Sequence, residues 1–91
     1  MNVKIRIPAS LSGFVLGNRE VVVSGNTVQE NLRNLIDKHG SIADKLFDSS
    51  GKLRRFINLY LNERDIRELD GVETVISDGD VISIIPAFSG G

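Results

Sequence analysis

Residues 25–40 read GNTVQENLRNLIDKHG, and this stretch decides the centre of the predicted fold. Thr27, followed three residues later by Glu30, has the spacing of a helix capping box. The apolar side chains that follow recur at the period of a helix with one apolar face: Val28, Leu32, Leu35 and Ile36. The stretch therefore predicts one amphipathic helix over residues 28–38, stopped at Gly40, that covers an apolar surface of the chain.

Apolar and polar residues alternate on both sides of this helix, which is the pattern of half-buried strands. The predicted strands occupy residues 3–7, 20–24, 56–61 and 81–85, with a shorter one around Ile66. Two strands, a helix and then several strands are typical of an α+β fold, in which one helix covers one face of a mixed sheet.

The segments between these elements predict mostly turns. Residues 9–18 are interpreted as a loop or wide hairpin, because Ser, Gly and Asn surround their few apolar side chains. Residues 42–46 suit a short second helix or turn, and a helical turn is expected over residues 74–76. Residues 77–80 contain Asp-Gly-Asp, a strong turn signal. We expect residues 1–86 to form one domain and residues 87–91 to form a flexible tail.

Composition excludes several classes of function. The 91 residues include no cysteine, so disulfides, thiol nucleophiles and cysteine-based metal sites are absent, which fits a reducing compartment. A net charge of -1 argues against a nucleic-acid partner, which usually needs a basic face. No apolar run approaches the length of a membrane span, and the first residues lack the apolar core of a signal peptide. The cytoplasm is therefore the expected location.

Local motifs offer little chemistry of their own. Asp78-Gly79-Asp80 lacks the remaining carboxylates of a calcium loop, so it predicts a structural turn. His39 lies where a helix C-terminus favours a cation, which predicts a capping position. The basic stretch over residues 52–55 is interpreted as a solvated loop, with docking to an acidic partner as the alternative.

The last residues, 85–91, read IPAFSGG. Without a Cβ, glycine lets a backbone thread a channel that excludes side chains, and residues 87–91 would reach about 17 Å if extended. A main-chain carboxylate could thus be delivered into another protein's active site. The alternative is an idle, frayed end. Ile85 and Phe88 either pack back on the sheet or are offered to a partner.

In this order and spacing, the motifs resemble the ThiS/MoaD family of ubiquitin-like sulfur carriers over essentially the whole chain. The motifs that carry the resemblance are the strand-turn-helix opening, the turn at Asn62, Asp78-Gly79-Asp80, Ile84-Ile85-Pro86 and Gly90-Gly91. Within the family, the chain is most similar to the CysO-type carriers of cysteine biosynthesis. Positions that carry this similarity include Ile7-Pro8, Gly51-Lys52-Leu53, Asn58, Tyr60 and Pro86-Ala87.

The resemblance implies a ubiquitin-like β-grasp fold and a protein that is a substrate and not an enzyme. An adenylating enzyme of the MoeB/ThiF kind would activate Gly91 with its own ATP and magnesium, and sulfur transfer would then give a thiocarboxylate. This chain would bind no cofactor or metal. Ser89 and Gly90 would pass through the partner's channel. The implied docking residues beside them are Ile85, Pro86 and Phe88, although Phe88 is bulkier than the small residue expected there.

Several destinations for the sulfur remain open. A CysO-type carrier implies a cysteine-synthase-like acceptor and a zinc protease that releases the product. A MoaD-type carrier implies the large subunit of molybdopterin synthase, and a ThiS-type carrier implies thiamine synthesis. Outside sulfur transfer, the chain could be a ubiquitin-like protein modifier or a plain interaction module. No membrane or nucleic-acid partner is expected.

Overall fold

A five-stranded mixed sheet organises the computed structural model, which describes residues 2–87. The strands are β1 (Asn2–Arg6), β2 (Glu20–Ser24), β3 (Ile57–Leu61), β4 (Arg64–Asp65) and β5 (Val81–Pro86). The helices are α1 (Val28–Lys38) and α2 (Ala43–Leu46). Short 3-10 helices occupy Ala9–Val15, Gly40–Ile42, Ile66–Glu68 and Gly71–Glu73. The predicted bounds of β2 and α1 are confirmed, and those of β1, β3 and β5 are confirmed to within a residue at each end.

The strand order in the sheet is β2-β1-β5-β3-β4. At its centre β1 and β5 run parallel, with Ile5 opposite Ile82, while the other neighbouring strands run antiparallel. A parallel pair needs a long crossover, and α1 lies within the chain segment that makes it. This is the ubiquitin-like β-grasp arrangement, so the predicted fold class is confirmed.

The core lies between α1 and one face of the sheet. The strand residues that face α1 alternate along each strand, as expected for a pleated strand: Val3 and Ile5 of β1, Ile57, Leu59 and Leu61 of β3, and Ile82 and Ile84 of β5. From the helix, Val28, Leu32 and Leu35 are fully buried. Burial of these apolar side chains supplies the main force that holds the helix on the sheet.

Side-chain hydrogen bonds set the start of α1. The Thr27 hydroxyl accepts a hydrogen bond from the Glu30 N–H at 3.2 Å, as the capping motif predicts. The Glu30 carboxylate accepts from the N–H of Asn26 at 2.9 Å, one residue earlier than in the standard motif. A Cβ on Gly25 would lie 2.9 Å from that of Glu30, so only glycine allows this close approach. At the other end, His39 occupies the predicted C-cap position.

Residues 9–18 differ from the prediction. Ala9–Val15 forms a 3-10 helix and not a loop or wide hairpin. Leu11 and Val15 are buried, and Phe14 packs half-buried against the core. The small polar residues suggested a solvated loop, whereas the apolar side chains four positions apart need a helical turn to reach the core together.

Two short elements lie next to their predicted positions. The short strand expected around Ile66 lies at Arg64–Asp65, and Ile66 begins a 3-10 helix. The helical turn expected over residues 74–76 lies at Gly71–Glu73 instead, while Val75 forms an isolated bridge with Thr27. Both errors arise because single apolar residues in short segments do not define a period.

Side chains of α1 cover part of the open edge of β2. The Lys38 ammonium donates a hydrogen bond to the Val22 carbonyl at 3.1 Å, and the Asn34 side-chain amide donates to the Ser24 carbonyl. Occupied edge carbonyls are poor templates for pairing with another chain. Within residues 2–87, no helix is both long and apolar enough to cross a bilayer.

Candidate functional site

The candidate site lies where β5 ends. Ile82 and Ile84 point into the core, whereas Ile85 is 44% exposed on the opposite face of the sheet. Ile85 pairs with Asn58 of β3, and Pro86 pairs with Ile57. Pairing with β3 therefore holds the candidate docking residues Ile85 and Pro86 in place, with Ile85 presented outward.

Backbone pairing continues one residue beyond β5. The Ala87 N–H donates a hydrogen bond to the Phe56 carbonyl at 2.6 Å. The predicted tail residues Phe88, Ser89, Gly90 and Gly91 lie outside the described residues. Their proposed roles, and the predicted division of the chain at residue 86, stay predictions.

Phe56 adds apolar surface next to this strand end. Its side chain is 45% exposed, close to the value for Ile85, and its carbonyl holds Ala87. We call Phe56, Ile85 and Pro86 the tail-root patch. The sequence prediction did not include Phe56 in the site, although the apolar alternation over residues 56–61 predicted that it faces away from Ile57.

An open groove of about 290 Å³ adjoins the tail-root patch. Its lining includes Arg6, Pro8, Arg19, Ser83, Ile85 and Pro86. Part of the groove is thus apolar and part is cationic. An open surface of this kind suits contact with a protein better than enclosure of a small molecule.

Asn62 fixes the position of β5 from the turn that follows β3. It adopts a left-handed conformation with φ of 57°, and its N–H donates to the Val81 carbonyl at 2.7 Å. Its side-chain oxygen accepts from the Val81 N–H at 3.0 Å, and its side-chain amide donates to Asp80 at 3.2 Å. These contacts join the end of β3 to the beginning of β5 and stabilise their register.

The turn before β5 is structural, as predicted. Gly79 has a φ of +88°, which disfavours other residues. The second Asp80 oxygen accepts from the Ser77 N–H at 2.8 Å, and Asp78 accepts from the Asn2 N–H at 2.9 Å. Among residues 2–87, no three acidic or histidine side chains gather closely enough to hold a metal ion.

Shifted pKa values occur in two exposed turns of the described chain. A side-chain hydrogen bond from Arg67 lowers the pKa of Asp65, and the same contact raises the pKa of Arg67. The Ser50 hydroxyl, together with the Lys52 N–H, lowers the pKa of Asp48. These carboxylates stabilise exposed turns and provide no acid or base near the strand end.

The model of the ThiS family matches residues 5–91 of this chain. The chain belongs to the ThiS family. The family resemblance predicted from the sequence is therefore confirmed, and the family match extends over nearly the whole chain.

Individual relatives agree with this assignment. The sulfur carrier protein CysO of Mycobacterium tuberculosis (strain H37Rv) is 40% identical over 93 residues, which cover 100% of both chains. In structure, the ThiS-family chain matches one from the crystal structure of the Amycolatopsis orientalis BexX/CysO complex. The TM-score is 0.89 at 37% identity, covering 98% of this chain and 99% of that one. The predicted similarity to CysO-type carriers is confirmed.

A named modifier protein has nearly the same structure. The solution structure of the small archaeal modifier protein 1 from Methanosarcina acetivorans has a TM-score of 0.85 at 34% identity, covering 99% of this chain and 96% of that one. Proteins named as sulfur carriers and proteins named as modifiers thus share this fold, so the fold alone does not distinguish the two functions.

Asn62→Ala should lower the free energy of unfolding by about 1–3 kcal/mol, because it leaves the Val81 N–H without its acceptor and places alanine in a left-handed conformation. Asn62→Gly is the matched control, because it loses the same side-chain hydrogen bonds but adopts this conformation without strain. Its free energy of unfolding should therefore fall by less than that of Asn62→Ala. Urea unfolding followed by circular dichroism measures both. Wild-type stability for Asn62→Ala would contradict the role assigned to this turn.

Proposed function

We propose that this chain is a sulfur carrier protein whose residue Gly91 is adenylated by a partner enzyme and converted to a thiocarboxylate that donates sulfur in cysteine biosynthesis. The observation that carries the proposal is the 40% identity to CysO over the whole of both chains. The position of β5 supports it, because this strand leads directly into the segment that ends in Gly90-Gly91.

The chemistry needs a partner because a carboxylate resists attack by nucleophiles. In the proposed first step, a Gly91 carboxylate oxygen attacks the α-phosphorus of ATP and pyrophosphate leaves. Hydrosulfide then attacks the acyl carbon of the adenylate, the bond from that carbon to the phosphate oxygen breaks, and AMP leaves. The resulting thiocarboxylate is ionised at neutral pH and is a good nucleophile. ATP and magnesium belong to the partner, and this chain is the substrate of both steps.

The strand end meets the geometric demand of this chemistry. Four residues follow Ala87, and they span about 13 Å when extended. Such a tail could bring Gly91 to a recessed active site while the folded body stays outside. In this proposal Ser89 and Gly90 occupy the channel, and the tail-root patch together with Phe88 contacts the enzyme surface around its mouth.

The proposed partners follow from the same reaction sequence. An adenylating enzyme of the MoeB/ThiF kind would activate the tail, a cysteine-synthase-like enzyme would accept the sulfur, and a zinc protease would release the product. The complex of CysO with BexX supports a carrier that binds other proteins. A molybdopterin synthase large subunit or the enzyme of thiazole synthesis would be the acceptor in a MoaD-type or ThiS-type pathway. The cytoplasm, which supplies ATP, is the proposed compartment.

Conjugation to lysine amines is a second candidate function. The observation that favours it is the close structural match to small archaeal modifier protein 1. The same Gly91 adenylate would be attacked by an amine and not by sulfur. Lysine conjugates in extracts of the native cell would distinguish the modifier from the carrier.

The proposal predicts a mass gain of about 16 Da on the peptide that contains Gly91, because sulfur replaces one oxygen. Intact-protein and peptide mass spectrometry should detect it after incubation with ATP, a MoeB/ThiF-like enzyme from the same organism and a sulfide donor. Gly91→Ala should fold normally but gain much less sulfur, because the added methyl group makes the tail wider and hinders its entry into the enzyme channel. An unmodified wild-type protein, with the enzyme shown to be active on another carrier, would contradict the proposal.

Ile85→Glu should weaken binding to the activating enzyme by about tenfold or more, because it places a charge in the apolar tail-root patch. Val22→Glu is the matched control: Val22 is 52% exposed on β2, at the far edge of the sheet. Isothermal titration calorimetry compares the two variants with the wild type. Equal affinities for the two variants would remove Ile85 from the docking surface.

A further inference from the structure

The groove beside the tail-root patch contains two arginines that are only partly engaged within the protein. Arg6 ends β1 and lies next to Ser83 of β5, while Arg19 immediately precedes β2. No acidic residue of the described chain lines the groove. The whole chain carries a net charge of -1, so this cationic surface is a local feature and not the result of a basic composition.

Arg19 is held in place through one nitrogen only. Its Nε donates a hydrogen bond to the Ile7 carbonyl at 2.8 Å. This contact restricts the guanidinium, and the structure of residues 2–87 records no acceptor for its two terminal nitrogens. A fixed planar fork suits a carboxylate, because less side-chain entropy is lost when the contact forms.

Arg6 is only weakly engaged within the protein. Its Nε lies 4.0 Å from a Glu20 carboxylate oxygen, at the outer limit of an ion pair, and the two side chains are 63% and 50% exposed. An exposed pair at this separation contributes little to stability. The Arg6 guanidinium is therefore available to a stronger carboxylate partner.

We propose that Arg6 and Arg19 form a cationic dock for an acidic segment of the enzyme that activates Gly91. This dock rests on the proposed function, because it takes the activating enzyme as the partner. The groove shares Ile85 and Pro86 with the tail-root patch, so an enzyme that receives the tail also covers the arginines. The fitting segment carries Asp or Glu side chains against the guanidinium groups and an apolar side chain against Pro8 and Ile85.

Charge at this position adds specificity to the apolar contact. The tail-root patch accepts apolar side chains from many proteins, whereas paired carboxylates opposite two arginines select one surface and one orientation. The cationic groove also attracts an acidic enzyme surface before contact, which increases the association rate at low salt. Nucleic acid fits less well, because its binding usually needs a larger basic face.

Charge reversal of Arg6 tests the dock. Arg6→Glu should raise the KM for the carrier in ATP–pyrophosphate exchange by about tenfold and leave kcat nearly unchanged, because the lost contact lies outside the reacting centre. Arg33→Glu is the matched control, because Arg33 is also an exposed arginine but lies on α1, outside the groove. Arg19→Met should also raise the KM. Raising NaCl from about 50 to about 300 mM should weaken enzyme binding by the wild type more than binding by the Arg6→Glu variant.

Direct binding separates failure of the dock from failure of the carrier function. The dissociation constant of each variant for the activating enzyme is measured by calorimetry, with circular dichroism to verify the fold. Equal affinities for Arg6→Glu and Arg33→Glu, or no binding of the wild type, would overturn the dock. Binding that depends on Arg6, without sulfur on Gly91, would support the dock and contradict the proposed carrier function.

Discussion

The parallel pairing of β1 with β5 is the constraint on which the rest of the structure depends. It brings the two ends of the domain together at the centre of the sheet, with Ile5 opposite Ile82. It also requires a long crossover, whose helix α1 buries one face of both strands. Over Val81–Ser83, β5 has a paired strand on both sides, and beyond Ser83 its pairing with β3 alone carries the chain to Pro86.

This arrangement separates stability from chemistry. The inward residues of β5 contribute to the core, while its outward residue Ile85 and the adjoining groove are available for contact. The reacting group in the proposed mechanism is a main-chain carboxylate several residues beyond the fold. In this proposal the domain needs no catalytic side chain, and its part is to position the tail and to select the enzyme that receives it.

The sequence predicted the features that depend on periodic burial or on a specific backbone contact. The bounds of α1 followed from the Thr27 and Glu30 spacing, and β3 followed from the alternation of three apolar residues. The 3-10 helix at Ala9–Val15 was missed because its apolar residues are sparse and the tertiary core decides their conformation. Residues such as Ile66 and Val75 lie in segments too short for a period to be read.

The candidate site was predictable only where it lies on one segment. Ile85 and Pro86 were predicted because they lie close to the two glycines. Phe56 lies near them through its hydrogen bond with Ala87, and Arg6 and Arg19 line the same groove, which the linear sequence does not display. Only the folded chain shows that these residues lie close together and that Arg6 makes just a long ion pair with Glu20.

The most direct test is the chemical state of the protein in its own cells. The chain would be enriched from the native organism without thiol-modifying reagents, and its C-terminal peptide would be sequenced by mass spectrometry. The carrier account predicts a population with sulfur in place of one terminal oxygen at Gly91. A Gly91 found only as free carboxylate or as an isopeptide on lysine would contradict it.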